Sequence, residues 1–327
     1  MNAPRTRVQR RPVHGVLLLD KPLGWSSNDV LQKVKWLLRA EKAGHTGTLD
    51  PLASGVLPLC FGAATKFSQL QLEADKTYET IVRLGVTTST ADAEGEVLRT
   101  RPVQCTLGQV VEVLDRFMGP IAQVPPMHSA LKKDGKALYE YAREGRTVER
   151  EARNVVIHEL EMLDVRLEGD EPFLHLKVQC SKGTYIRTLG EDIGEALGCG
   201  GHLRMLRRVD TGGIHVDRCV GLADLEAMTE EERMQHVHPV ETLLNKHTTV
   251  TLDSENAGRF LSGMRRLGSW PDAAAVAVFG EQPRALLGVG HVTGGELVPD
   301  RLLSPIEIQQ ILESSPRAER GTLETTL

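Results

Sequence analysis

Aromatic residues are scarce in this chain: Phe, Trp and Tyr make up 4% of it, with four tyrosines and three tryptophans. Few rings are available to stack on a planar ligand, so each tyrosine matters to any site that needs one. No apolar run approaches the roughly 20 residues of a membrane span, and Val16 to Leu19 is too short for the apolar core of a signal peptide. Cytoplasm is the expected compartment. The cysteines are Cys60, Cys105, Cys180, Cys199 and Cys219, an odd number, widely spaced and without a CxxC pair. That excludes a zinc ribbon and a redox dithiol and leaves reduced, mostly buried thiols. The histidines form no HExxH pair, no Walker pattern occurs, and Gly198-Cys199-Gly200-Gly201 does not complete GxGxxG. Neither a metal nor a nucleotide cofactor is expected.

What is present is an ordinary soluble composition, 40% apolar and 25% charged, over 327 residues. That length suits two domains. The net charge of −5 is unevenly spread. Residues 1–45 hold nine Lys or Arg against three Asp or Glu, and residues 217–250 hold three against seven. One end can face phosphate while another stays acidic.

The local pattern mixes strands and helices, an α/β or α+β core. Residues 1–14 read as a disordered basic tail. Val16 to Leu19 is a short strand. Ser26 or Ser27 caps a helix whose inner face is Val30, Val34, Leu37 and Leu38. Val56 to Cys60 and Thr77 to Leu84 are strands, the second with Tyr78, Thr80, Val82 and Leu84 on one face. Residues 106–118 form a helix through Val110, Val111, Leu114 and Phe117. Gly119 to Arg153 is too charged to fill a core and fits a surface helix with i,i+4 pairs. Leu174 to Cys180 alternates as a half-exposed strand. Thr184 then caps a helix bearing Leu189, Ile193, Ala196 and Leu197 and closed by Gly198. Beyond residue 250, short strands at Ala275 to Phe279, Ala285 to Val292 and Glu296 to Val298 suit a small β-rich domain. Residues 313–327 read as a flexible tail.

The most informative stretch is Gly44-His45-Thr46-Gly47-Thr48-Leu49-Asp50-Pro51-Leu52-Ala53-Ser54-Gly55. Pro51 pushes Asp50 toward an extended conformation, and the glycines let the backbone bend or approach a ligand. Asp50 therefore sits on a shaped loop. A carboxylate presented this way suits a nucleophile, and the same residues also suit a plain turn. Four other segments flank it in order along the chain: Gly15-Val16-Leu17-Leu18-Leu19-Asp20-Lys21-Pro22, Asp75-Lys76-Thr77-Tyr78, the run from Pro125 to Arg153, and Lys182-Gly183-Thr184-Tyr185-Ile186-Arg187-Thr188. Together the five resemble the motifs of the TruB family, the bacterial tRNA pseudouridine-55 synthases, from about Gly15 to Arg208.

The resemblance implies a mixed-sheet pseudouridine synthase core over residues 15–250, with an RNA-contacting insertion at about 120–153. It implies a PUA-like domain over 251–312. It implies an isomerase that converts uridine to pseudouridine in the T loop of tRNA, without cofactor or obligate protein partner, as a monomer. By the same resemblance Asp50 is the nucleophile, attacking base or ribose, and Arg187 pairs with it. Tyr78 stacks on the target base and takes the C5 proton. Tyr185 and Leu206 pack around that base, and His45 fills the space it leaves on flipping. Lys21 and Lys66 contact phosphate or support the loop.

Overall fold

The computed structural model describes residues 9–314. Its centre is a mixed sheet of eleven strands. Nine of them position the site: β1 (Gly15–Lys21), β2 (Ala43–His45), β3 (Ala53–Phe61), β4 (Lys76–Leu84), β5 (Gly119–Gln123), β6 (Arg153–Arg166), β7 (Phe173–Cys180), β8 (Gly201–Thr211) and β9 (Val220–Gly221). Across the sheet they run β9-β1-β3-β8-β4-β7-β6-β5, with β2 beside β3. Pairing is antiparallel except for β1 with β9 and β3 with β8. Between strands lie α1 (Ser27–Leu37), α2 (Ser68–Leu72), α3 (Leu107–Arg116), α4 (Leu138–Arg143) and α5 (Ile186–Ala196).

The run Val16-Leu17-Leu18-Leu19 is apolar throughout because β1 is covered on both faces. Leu17 and Leu19 join one core with Val30, Val34, Leu57 and Leu59. Val16 and Leu18 join a second with Phe67, Leu243 and residues of the C-terminal domain. That domain is a five-stranded sheet of β10 (Thr248–Leu252), β11 (Arg266–Leu267), β12 (Ala273–Gly280), β13 (Ala285–Thr293) and β14 (Glu296–Leu302), in the order β10-β12-β13-β14-β11. With α6 (Ser254–Leu261) it has a core of its own around Phe260, while Ala277, Phe279, Leu286 and Val289 pack onto the central sheet. The seam is also polar. Lys66 pairs with Glu307 at 2.6 Å, and its Nζ donates to the Leu302 carbonyl at 3.1 Å.

Several expected boundaries move. Residues 1–8 and 315–327 lie outside the described residues, as do those parts of the expected tails. Residues 9–14 are tied to the fold: Arg11 bridges to Ala40, Val13 is buried, and the His14 Nδ1 accepts from the Ala63 amide. Glu313 and Ser314 complete α7 (Pro305–Ser314). The C-terminal sheet begins at Thr248, ahead of residue 251. Gly119–Gln123, at the start of the charged run expected as a surface helix, instead pairs residue for residue with β6, an edge position that tolerates Pro120. Val111 is exposed, and Val113 takes the inner position beside Val110 and Leu114. Thr184 does not cap α5; its hydroxyl donates to the Ser181 carbonyl, and Tyr185 holds the cap position without a side-chain bond. Ser26 caps α1, accepting from the Asp29 amide at 3.1 Å.

The parallel contact of β3 with β8 is possible because of Gly55. Its φ is +101°, and a Cβ there would stand 2.1 Å from the Arg208 carbonyl oxygen. Gly258 in α6 has open space around it and an ordinary helical φ. Gly55→Ala is expected to cost on the order of 3 kcal/mol, whereas Gly258→Ala is expected to gain about 0.5–1 kcal/mol. Urea midpoints of the two variants check both signs.

Candidate active site

The loop bearing Asp50 is anchored at three points. At its start, β2 pairs with β3, His45 against Leu59. In its middle, the buried Ser27 hydroxyl accepts from the Leu49 amide at 2.8 Å and donates to the Leu49 carbonyl at 3.0 Å. At its end, the Ala53 amide donates to the Asp50 carbonyl at 3.0 Å, and the Gly24 amide donates to that of Pro51 at 2.8 Å. Lys21 secures the last contact. It is fully buried, and its Nζ donates to the carbonyls of Pro22 and Trp25 at 2.9 and 2.6 Å, fixing the turn that carries Gly24. Burial lowers the Lys21 ammonium to about 8.

Asp50 faces Arg187 across the site. The Asp50 Oδ2 lies 2.9 Å from Arg187 Nη2. The guanidinium is nearly buried and is held from behind: Asp92 Oδ2 lies 3.5 Å from Nη1, and the carbonyls of Thr90 and His128 accept at 3.4 and 2.7 Å. Asp92 is itself buried and accepts from the Thr90 hydroxyl and the Glu94 amide. One cation thus serves two carboxylates. Burial raises the Asp50 carboxyl above its ordinary range, the Arg187 guanidinium opposes the rise, and Asp92 adds to it.

A cavity of about 350 Å³ opens beside this pair. Asp50, Tyr78, Tyr185, Arg187 and Leu206 all line it, with Leu72 and Ile186 adding apolar wall. Register explains how residues distant in sequence meet. Leu206 pairs with Ala53 in the parallel contact, and Arg208 stands opposite Tyr78 on the other side of β8. Tyr185 is fixed through its backbone, its amide donating to the Gln123 side chain at 3.1 Å and its carbonyl accepting from it at 3.3 Å. Burial pushes both the Tyr78 and Tyr185 phenols up.

The expected residues do not all reach the cavity. His45 does not line the cavity; it is half-buried, its Nδ1 has no hydrogen-bond partner, and burial lowers its imidazole below the usual range. Lys21 supports the loop from beneath. Lys66 is placed in the seam with the C-terminal domain and is not part of the cavity wall. Sequence reading missed Asp92, Gln123, Lys76 and Arg208. Lys76 lines the cavity and donates to the carbonyls of Gln71, Leu72 and Ala74 near the end of α2; burial lowers it to about 8. The signal for Arg208 was its place in the strand: of two adjacent arginines on β8, one must point inward. Among the described residues no three His, Cys, Asp or Glu side chains gather as metal ligands would. No helix among them is long and apolar enough to cross a membrane.

Residues 35–186 match the model of the N-terminal domain of TruB family pseudouridylate synthases. Residues 187–245 match that of the tRNA pseudouridylate synthase B C-terminal domain, and 248–303 that of the pseudouridine synthase II TruB C-terminus. The tRNA pseudouridine synthase B of Verminephrobacter eiseniae (strain EF01-2) is 64% identical over 99% of this chain and 99% of its own. The chain belongs to the TruB family. The Ralstonia pickettii (strain 12J) member is 59% identical over 90% of this chain and 95% of its own. Among solved structures, a chain of a Cbf5-Nop10-Gar1 complex is 26% identical with a TM-score of 0.68, covering 90% of this chain and 86% of that one. The fold of this TruB chain is therefore the mixed-sheet synthase core with a β-rich C-terminal domain.

Because burial outweighs Arg187, the Asp50 carboxyl is expected to titrate above the ordinary aspartate value of 3.8. Any step that needs its ionised form then weakens as pH falls through that raised value, and recovers above it. Arg187→Gln removes the opposing cation and is expected to move the titration higher still. Carboxyl-carbon NMR of Asp50, assigned with Asp50→Asn, checks the position and the direction. Ser27→Ala is expected to cost about 1–3 kcal/mol, because the Leu49 amide and carbonyl both lose a buried partner; thermal unfolding measures it.

Proposed function

We propose that this TruB protein isomerises uridine to pseudouridine at position 55 in the T loop of tRNA, with the Asp50 carboxylate as nucleophile. The observation that carries this reading is the pairing of Asp50 with a buried arginine on the wall of a cavity that also presents Tyr78, Tyr185 and Leu206. Relatives named tRNA pseudouridine synthase B, nearly full-length matches to this chain, support tRNA as substrate. The protein is on this reading an isomerase in tRNA modification, working in the cytoplasm.

The reaction moves the glycosidic bond from N1 of uracil to C5. One hydrogen leaves C5 and one arrives at N1, so no redox change occurs. A base inside a folded arm must first be extruded, at a cost of a few kcal/mol in lost stacking. The cavity receives it. Tyr78 stacks on the ring, Tyr185 and Leu206 close its edges, and the flat imidazole of His45 occupies the space vacated in the RNA. Asp50 attacks the flipped nucleotide. The carboxylate suits the task because it is a competent leaving group once the new bond has formed. Arg187 fixes its direction, its own charge balanced by Asp92. Tyr78 takes the C5 proton. The charged surface after Gln123 and the basic N-terminal region contact phosphates, which place the RNA without choosing the base; the shape of the arm supplies selectivity.

Tritium release from tRNA transcripts labelled at uridine C5 tests the reading. Wild-type protein is expected to release label, and a transcript with cytidine at the T-loop target is expected to release none. Asp50→Asn is expected to lose turnover while binding tRNA within roughly tenfold of wild type, since one contact among many is worth about 1–2 kcal/mol. Turnover retained in the pure variant would remove Asp50 as nucleophile. Tight tRNA binding with no release by wild type would point instead to a non-catalytic RNA chaperone. Tyr78→Phe is expected to bind tRNA normally and release little label; a full rate would end the role of its hydroxyl as base.

A further inference from the structure

Arg208 carries a buried charge without a counter-charge. The side chain is 2% exposed. Its Nε donates to the Val56 carbonyl at 2.8 Å, while its Nη2 is buried without a hydrogen-bond partner. No ion pair to a carboxylate engages it among the described residues. Its charged neighbours Lys21, Lys76 and His45 are cations or potential cations, and each is disfavoured in its charged form by the guanidinium. A fold keeps such a charge at considerable cost unless a group nearby becomes anionic.

The group that can become anionic is the Tyr78 phenol. Arg208 stands directly opposite Tyr78 in the pairing of β8 with β4, and both side chains line the cavity. The other charged or titratable groups facing Tyr78 are Cys180 from β7 and Asp50 from the loop, and both work against a phenolate, as burial does. Lys76, two residues away on β4, is held by three backbone carbonyls. Arg208 alone favours the anion.

We propose that Arg208 is the positioning residue for Tyr78: its guanidinium orients the hydroxyl and stabilises the phenolate while the C5 proton is taken. The inference rests on the base role given to Tyr78 above. In the step, Tyr78 gives its proton to solvent, and the phenolate oxygen then takes the proton from C5. The C5–H electron pair re-forms the C5=C6 double bond, and N1 gains a proton from water. Arg208 keeps its protons throughout. A lysine there would supply charge without the planar fork and serve in part.

The test places 3,5-difluorotyrosine at position 78, whose more acidic phenol is followed by fluorine NMR in the RNA-free protein. Wild type, Arg208→Lys and Arg208→Met are compared. Arg208→Met is expected to move the titration up by about one pH unit or more, and Arg208→Lys by less. In the unlabelled proteins, single-turnover tritium release is expected to fall roughly tenfold or more in Arg208→Met and partly recover in Arg208→Lys, with half-saturating tRNA unchanged. A titration that stays put in folded variants overturns the inference, as does a raised tRNA requirement with an unchanged rate, which would place Arg208 on the RNA. If Arg208→Met does not fold, Arg208→Lys decides alone: a titration identical to wild type overturns the pairing. The NMR readout needs no substrate, so a fully active Tyr78→Phe would remove the base role of Tyr78 while leaving the contact itself to be judged separately.

Discussion

The site depends on one buried guanidinium held between two carboxylates. Arg187 is nearly buried, so without Asp50 it would depend on Asp92 for its counter-charge. Asp92 makes the arrangement directional. It holds Arg187 from behind, so that the front edge of the guanidinium is committed to Asp50. The two carboxylates are then unequal. Asp92 is enclosed and hydrogen-bonded by Thr90 and Glu94, whereas Asp50 keeps an open side toward the cavity. The same charge that steadies the Asp50 carboxylate leaves it a free face.

The remaining cations are arranged beneath the loop on backbone rather than on acids. Lys21 and Lys76 each donate to carbonyls, Arg208 to the carbonyl of Val56. Carbonyl dipoles tolerate a positive charge without cancelling it, so the floor of the cavity stays positive toward anything that enters. Rigidity comes from packing on both faces of the sheet. One face closes over α1 and α5, and the other is sealed by the C-terminal domain, whose apolar side chains and Lys66–Glu307 pair bind it to β1 and β3.

Much of this was legible in the sequence where local pattern and tertiary role agree. The strand at Val16 to Leu19, the capped helix after Ser26, the alternation from Thr77 to Leu84 and the Gly44–Gly55 loop each carry their own signal. The gathering of Asp50, Tyr78, Tyr185, Arg187 and Leu206 came from resemblance; spacing alone did not determine it, because sheet register brings them together. What stayed hidden has physical causes. Gly119–Gln123 is a short edge strand holding Pro120 and opening a highly charged run, so the sequence pattern groups it with a surface helix. Ser26 and Ser27 look equivalent, yet one caps a helix and the other brackets Leu49 from 22 positions away. Asp92 and Arg208 are charged, and composition assigns charge to the surface; their burial depends on partners that only the folded sheet supplies.

The parallel contact of β3 with β8 has a consequence for synthesis of the chain. The strand that follows Asp50 cannot find its neighbour until the ribosome has released Thr211, on the order of ten seconds later at typical rates. Until then β1 and β3 form a small sheet with a bare apolar edge, and β4, which gains β7 only after Cys180, still lacks β8. Such an edge is a template for wrong pairing. The nascent chain is therefore catalytically mute through most of its emergence and most exposed to aggregation just before the cavity closes.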